Sequence, residues 1–184
     1  MEKSNIGEKI KLLTGSGMWH TREAEGLPSV HLSDGPHGLR KQEEKERQNN
    51  VSLVSTCYPT ASALACSWDV TAAERLGRAV AKEAWNADVA VLLGPGINMK
   101  RSPLCGRNFE YFSEDPFLTG RLGAAYVSAA QGENVAFSLK HFAANNQETN
   151  RQTSNSQIDE RALREIYLSA FEYVVKTTRP ATVM

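Results

Sequence analysis

The sequence carries no excess of either charge: Lys plus Arg number 21 and Asp plus Glu number 21 in 184 residues. That balance removes the bulk electrostatic case for nucleic acid or an anionic membrane surface, since both ask for a basic excess. No apolar run approaches the length of a membrane span. Met1 to Lys11 alternates charged and apolar residues and has no h-region of a secretory leader, so the expected location is cytoplasmic. Cysteine is scarce and odd in number (Cys57, Cys66, Cys105), which argues against a disulfide framework. The spacing of the three also lacks the C-x-x-C of a thiolate metal site, so free thiols are expected and no metal or cofactor is called for. No G-x-G-x-x-G turn follows the first apolar segment, which weighs against a dinucleotide-binding sheet.

What is present is an alternation of strand-like and helix-like segments. Ile6 to Leu13 reads as a short amphipathic helix stopped by Thr14-Gly15-Ser16-Gly17, and Ser29 to Leu32 reads as a strand. Lys41 to Asn50 is a solvated polar excursion with no apolar face. Ala61 to Ala65, small and apolar, is expected as a second strand. A helix from about Thr71 to Asn86 follows, capped by Asp69 or Thr71, with Ala72, Leu76, Ala79, Val80 and Ala84 on one face. Val89 to Leu93 is a continuous apolar run suited to a buried parallel strand. Ser113-Glu114-Asp115-Pro116 starts a helix that runs to Gln131, then come a strand over Val135 to Leu139 and a helix over Asp159 to Lys176. Ala181 to Met184 begins a further strand.

These are about four to five β/α units in an α/β chain without internal repeat or linker. Such alternation implies a parallel sheet covered by helices, and a (β/α)8 barrel fits better than an open doubly wound sheet. A barrel takes about 250 residues, so these units are expected to form its N-terminal part only, as a fragment with open sheet edges.

Polar clusters follow the strands. Ser138-Leu139-Lys140-His141-Phe142 delivers a lysine and a histidine at a strand end, and Asn145, Asn146, Gln147, Glu148 and Arg151 crowd the loop after it. Asp34, His37 and Arg40 project from a turn fixed by Gly35, Pro36 and Gly38. Asn98, Lys100, Arg101, Arg107 and Glu110 follow Gly94-Pro95-Gly96. Side chains of this kind at the C-terminal ends of parallel strands suit a pocket rim that makes directional hydrogen bonds to a neutral, hydroxyl-rich ligand. Bland roles are available for some of them. Asp34 also suits a turn former, and Arg107 and Arg151 suit structural ion pairs with Glu110 or Glu148. His37 reads as a residue that shapes its turn, and Asp115 and Asp159 read as helix starts.

Four motifs in series carry a resemblance: Ser33-Asp34-Gly35-Pro36-His37-Gly38-Leu39-Arg40; Gly106-Arg107-Asn108-Phe109-Glu110 with Ser113-Glu114-Asp115-Pro116; Lys140-His141-Phe142 with Asn145 to Arg151; and Asp159-Glu160-Arg161. Together they resemble the N-terminal domain of glycoside hydrolase family 3, in its β-glucosidase branch, over nearly the whole chain. The resemblance implies a (β/α)8-type barrel, followed in the family by an α/β sandwich, and retaining hydrolysis of terminal β-D-glucosyl or β-xylosyl residues. It implies that Asp34 accepts hydrogen bonds from sugar hydroxyls and that Arg40, Arg107, Lys140, His141 and Arg151 line the same subsite. The partner is then a β-glucoside or oligosaccharide, with no nucleic acid and no membrane.

Retaining hydrolysis uses two carboxyl groups. The family's nucleophile sits in a Ser-Asp-Trp-like context that this sequence lacks; Trp68-Asp69 has the reverse order. No catalytic residue is therefore expected within the chain, whose share of the enzyme is the sugar-binding subsite. The β-N-acetylhexosaminidase branch is disfavoured, because Ala143-Ala144-Asn145-Asn146 follows Phe142 where that branch has a Pro-Gly-His-like loop. A catalytically inert sugar-binding half barrel and an unrelated α/β binding module are the alternatives from other classes.

Overall fold

The computed structural model describes residues 6–24, 26–42 and 51–184. Most of the polar excursion expected over 41–50 lies outside the described residues. Four strands form one parallel sheet: β1 (Leu32–Asp34), β2 (Val91–Gly96), β3 (Ala136–Lys140) and β4 (Thr182–Val183). Their order in space, β1-β2-β3-β4, is their order in the chain. A doubly wound sheet reverses direction at its switch point, whereas a (β/α)8 barrel adds each strand beside the last. The sheet is wound in the barrel manner, and all three connections between neighbouring strands pass through helices.

Local chemistry accounts for where these helices begin. The longest, α3 (Val70–Asn86), follows α1 (Ile6–Lys11) and α2 (Ala61–Ala65). Its cap is Asp69, whose carboxylate accepts from the Thr71 amide at 2.8 Å. In α4 (Pro116–Gln131) proline occupies the first turn and Asp115 Oδ1 accepts from the Phe117 amide at 2.9 Å. Gly77 brings α3 and α4 together: a Cβ there would lie 2.4 Å from the Tyr126 carbonyl oxygen. Val80, Leu92, Leu122, Val127, Phe137, Leu139 and Val174 are fully buried between sheet and helices and form the core.

Three expectations are corrected. Ala61 to Ala65 is a helix, not a strand, because Thr60 caps it through a 3.3 Å bond from the Ala63 amide to its hydroxyl. The strand expected over Ser29 to Leu32 is displaced toward its C-terminal end. The Thr21 amide donates to the Val30 carbonyl and the Leu32 amide to the Trp19 carbonyl, so this stretch pairs with the preceding loop. The strand β1 accordingly starts at Leu32 and carries Asp34 as its last residue. The helix over Asp159 to Lys176 is divided into α5 (Glu160–Ala162), a π-helical turn (Leu163–Tyr167) and α6 (Ser169–Thr178), with the Leu168 amide bonded to the Leu163 carbonyl.

Candidate functional site

The ends of β1, β2 and β3 turn toward one cleft. After β1 the backbone reverses through Gly35 (φ +142) and Gly38 (φ +150). A Cβ at Gly35 would sit 2.2 Å from the Gly38 carbonyl oxygen, so no larger residue fits this turn. The Arg40 amide donates to the Asp34 carbonyl at 2.8 Å and closes the loop. Asp34 and Arg40 thereby share one mouth, with Arg40 Nη1 3.9 Å from Asp34 Oδ2.

After β2, Ile97 and Asn98 lead into a loop that ends in a 3-10 turn, Asn108–Glu110. Ser62 on α2 holds this turn by donating to the Asn108 carbonyl at 2.8 Å, and the Lys100 ammonium donates to the same Ser62 hydroxyl. The turn places Arg107 and Glu110 over the sheet, and β3 delivers Lys140 from below. The Lys140 side chain is 2% exposed, a cost that ion pairing has to offset. Its Nζ lies 2.9 Å from Asp34 Oδ1 and 3.4 Å from Glu110 Oε2. Arg107 Nε donates to the other oxygen of Glu110, and Arg107 Nη2 lies 2.6 Å from His141 Nε2. Asp34, Lys140, Glu110, Arg107 and His141 are thus one continuous chain of contacts across three strand ends.

His141 is fixed from several sides. Its amide donates to Asn98 Oδ1 at 2.8 Å and its carbonyl accepts from Asn98 Nδ2 at 2.9 Å. Burial first, then the positive charges of Arg107 and Lys140, push the ring pKa down to about 3. The ring is neutral. Arg107 has only donors, so Nε2 accepts, and the proton sits on Nδ1, 3.2 Å from Asn98 Oδ1 and 3.1 Å from the Tyr111 hydroxyl. Burial pulls the Asp34 carboxyl upward, but the Lys140 ammonium, the Gly35 amide and the Arg40 guanidinium together outweigh it and hold Asp34 below the usual carboxylate range. Burial likewise opposes the Arg107 charge, and Glu110, with Tyr111 and Glu148, more than restores it.

The cleft, about 530 Å³, is lined by Asp34, Arg40, Arg107 and Arg151 together with His37, Cys57, Phe109 and Glu110. Of the six residues singled out from sequence, four line it directly, and Lys140 and His141 lie beneath, bonded to those that do. Both ion pairs foreseen as bland alternatives are present: Arg107 with Glu110, and Arg151 Nη1 with Glu148 Oε2 at 3.1 Å. His37 lies in the cleft wall, with its ring edge-on to Phe109 at 5.5 Å. Asp115 and Asp159 are helix caps as expected.

Sequence reasoning missed Tyr111 altogether; it placed Asn98 and Glu110 in the polar loop after the strand, but not Asn98 as the clamp on His141 nor Glu110 as a buried bridge from Arg107 to Lys140. The available signal was the placement of Asn98 and Glu110 in the same post-strand loop as Arg107. Chemically, the cleft offers guanidinium donors opposite one ionised acceptor. Asp34 is held ionised against a lysine, the opposite of what a general acid at neutral pH requires. Among the described residues no group of three or more His, Cys, Asp or Glu side chains is gathered to hold a metal ion. No helix among them is long and apolar enough to cross a membrane.

Comparison with known proteins gives this geometry its context. The chain is 50% identical over its whole length to thermostable beta-glucosidase B of Acetivibrio thermocellus and 47% identical over 97% of its length to an exo-alpha-(1->6)-L-arabinopyranosidase of Bifidobacterium longum. It spans about a quarter of the length of these curated relatives (25% and 24%). Its fold matches 22% of the crystal structure of a beta-glucosidase from Kluyveromyces marxianus in complex with glucose, with a TM-score of 0.92 and 43% identity over 99% of this chain. The sheet winding is that of the N-terminal part of a (β/α)8 barrel in these enzymes. The family model of the glycosyl hydrolase family 3 N-terminal domain matches residues 36–184. From the end of its first strand onward, therefore, the chain belongs to glycosyl hydrolase family 3 and carries part of that family's N-terminal barrel fold.

Proposed function

We propose that this chain supplies the sugar-binding subsite of a retaining β-glucosidase acting on terminal β-D-glucosyl residues, with β-xylosyl residues as the nearest alternative. One observation carries the reading: Asp34, Arg40, Arg107 and Arg151 converge on a cleft at the C-terminal strand ends, over a Lys140–Glu110–Arg107–His141 floor. A pyranose offers neutral hydroxyls, each able to donate and accept. An ionised Asp34 accepts from two of them, and the arginines donate to others. Charge-assisted bonds to the 2-hydroxyl strengthen as positive charge develops in an oxocarbenium-like transition state.

In this reading the nucleophile and the acid/base are supplied by parts of the polypeptide other than these 184 residues. The support is that Asp34, held ionised, does not suit the acid/base, that its carboxylate is taken by the Lys140 ammonium, and that the β-glucosidase relatives are about four times as long, the chain covering 25% of one of them. Taken alone, the chain would then bind sugar without cleaving it. A second reading is favoured by the 47% identity to an exo-alpha-(1->6)-L-arabinopyranosidase, since that sugar also is a neutral pyranose.

The test is hydrolysis by the full-length protein of p-nitrophenyl β-D-glucoside, β-D-xyloside and α-L-arabinopyranoside. The β-glucoside is expected to have the highest kcat/KM, and Asp34→Asn to lower it about 100-fold or more through two lost charged hydrogen bonds. Turnover of the arabinopyranoside alone would establish the second reading. An unaffected Asp34→Asn variant would remove the proposed subsite.

A further inference from the structure

We propose that Glu110 is a positioning residue of this site, holding the Arg107 guanidinium and the Lys140 ammonium at the separation the sugar requires. The inference rests on the sugar-site reading above and goes beyond it, to a residue whose own contribution to a ligand is small. Glu110 is 3% exposed, and each of its oxygens is taken by a different cation: Oε1 by Arg107 Nε and Oε2 by Lys140 Nζ at 3.4 Å. A carboxylate so enclosed has little left for a hydroxyl. What it does is join two strand ends, because Arg107 follows β2 and Lys140 closes β3.

The neighbouring charges show what Glu110 prevents. Among the described residues Lys140 faces one other carboxylate, Asp34, at 2.9 Å, and Arg107 faces one other, Glu148, at 3.9 Å. Without the charge of Glu110 the lysine is left to Asp34 alone, and Asp34 is the acceptor that the sugar needs. The guanidinium is left to Glu148, on the loop after β3, which draws it away from His141 Nε2 and from the cleft. Glu110 thus divides two cations between two jobs. The backbone that carries it is clamped accordingly. Ser62 on α2, itself held by the Lys100 ammonium, grips the 3-10 turn through the Asn108 carbonyl, and Asn108 Nδ2 donates to the Ser102 carbonyl at 2.7 Å. An arginine and a lysine are thereby oriented by one side chain, and the histidine is reached through the arginine, the arrangement by which a supporting residue sets binding geometry.

The experiment measures the inhibition constant of glucose for the full-length protein, its Glu110→Gln and Arg107→Ala variants, and the double variant. Glu110→Gln keeps shape and loses charge, and is expected to weaken glucose by about 10- to 100-fold. Because Glu110 acts largely through Arg107, adding Glu110→Gln to Arg107→Ala should cost less than about 3-fold more, the non-additivity of residues in direct contact. A merely structural glutamate would weaken glucose by the same factor in both backgrounds, and that result overturns the proposal. So does wild-type affinity in Glu110→Gln. Should Glu110→Gln fail to fold, Glu110→Asp, which keeps the charge but withdraws it by one methylene, carries the test: a comparable loss supports the role and wild-type affinity overturns it. A wild-type protein that does not bind glucose at all removes the sugar-site reading itself, which separates the two failures.

Discussion

Two hollows at the C-terminal half of the sheet invite comparison. The cleft over β1, β2 and β3 is polar, and these of its charges, buried or exposed, are paired within the chain: Lys140 with Asp34 and Glu110, Arg107 with Glu110, Arg151 with Glu148. The groove beside β4 and α6 is lined by Phe142, Leu168, Phe171, Val175, Val183 and Met184, and several of these face water, Phe142 at 61% and Val183 at 47% exposure. One hollow has its charges satisfied and its shape fixed by the residues around it. The other leaves apolar area uncovered, at a cost of about 25 cal/mol for each Å². Side-chain changes in the first should act through charge and geometry, and changes in the second through solubility and packing.

The largest expected effect comes from breaking the cleft at its centre. Lys140→Met leaves the half-buried Asp34 and the buried Glu110 without their shared cation and should lower the stability of the full-length protein by about 3 kcal/mol, read from denaturant midpoints. Glucose affinity should fall with it. Next is a contrast between core and groove: Leu122→Ala, at a site with 0% exposure, should cost about 2–5 kcal/mol. Val183→Ala in the groove should cost far less in the 184-residue chain and should reduce the binding of an apolar dye.

A smaller effect is pH dependence. Folded His141, with its pKa at about 3, stays neutral while the unfolded chain takes up a proton below the ordinary 6.5. The unfolded state therefore binds more protons between those values, and stability falls as pH falls from about 6.5 toward 3. Asp34 acts in a lower window, because its depressed pKa gives stability that is present above the ordinary carboxylate value and is lost only as pH falls through the folded one. His141→Asn should flatten the first slope and leave the second, seen by comparing denaturation midpoints across pH. The smallest effect belongs to the surface: Arg164→Ala breaks the exposed pair with Glu160 and should change stability by under about 0.5 kcal/mol.

The same contrast explains what the sequence made legible. Asp34, Lys140 and His141 stand where apolar runs give way to polar ones, a pattern that marks the ends of parallel strands, and the missing G-x-G-x-x-G turn already favoured the barrel over a doubly wound sheet. Ala61 to Ala65 misled because a run of five residues, mostly alanine, is too short to show a period; the deciding signal was Thr60, a cap visible only one residue upstream. Glu110 was unreadable for a different reason. In the chain it is one charge among several in a polar loop, and only the return of that loop over β3 brings it within reach of Lys140, 30 residues further along. Burial of a charge is a tertiary fact, and pattern does not announce it.

The most direct test of the central claim is hydrogen exchange on the full-length protein with and without glucose. The account predicts slowed exchange in three separated stretches, around 33–40, 106–111 and 138–151, with the groove segments around 164–175 unchanged. Glucose that binds while leaving those three stretches unprotected, or that protects the groove instead, would contradict it.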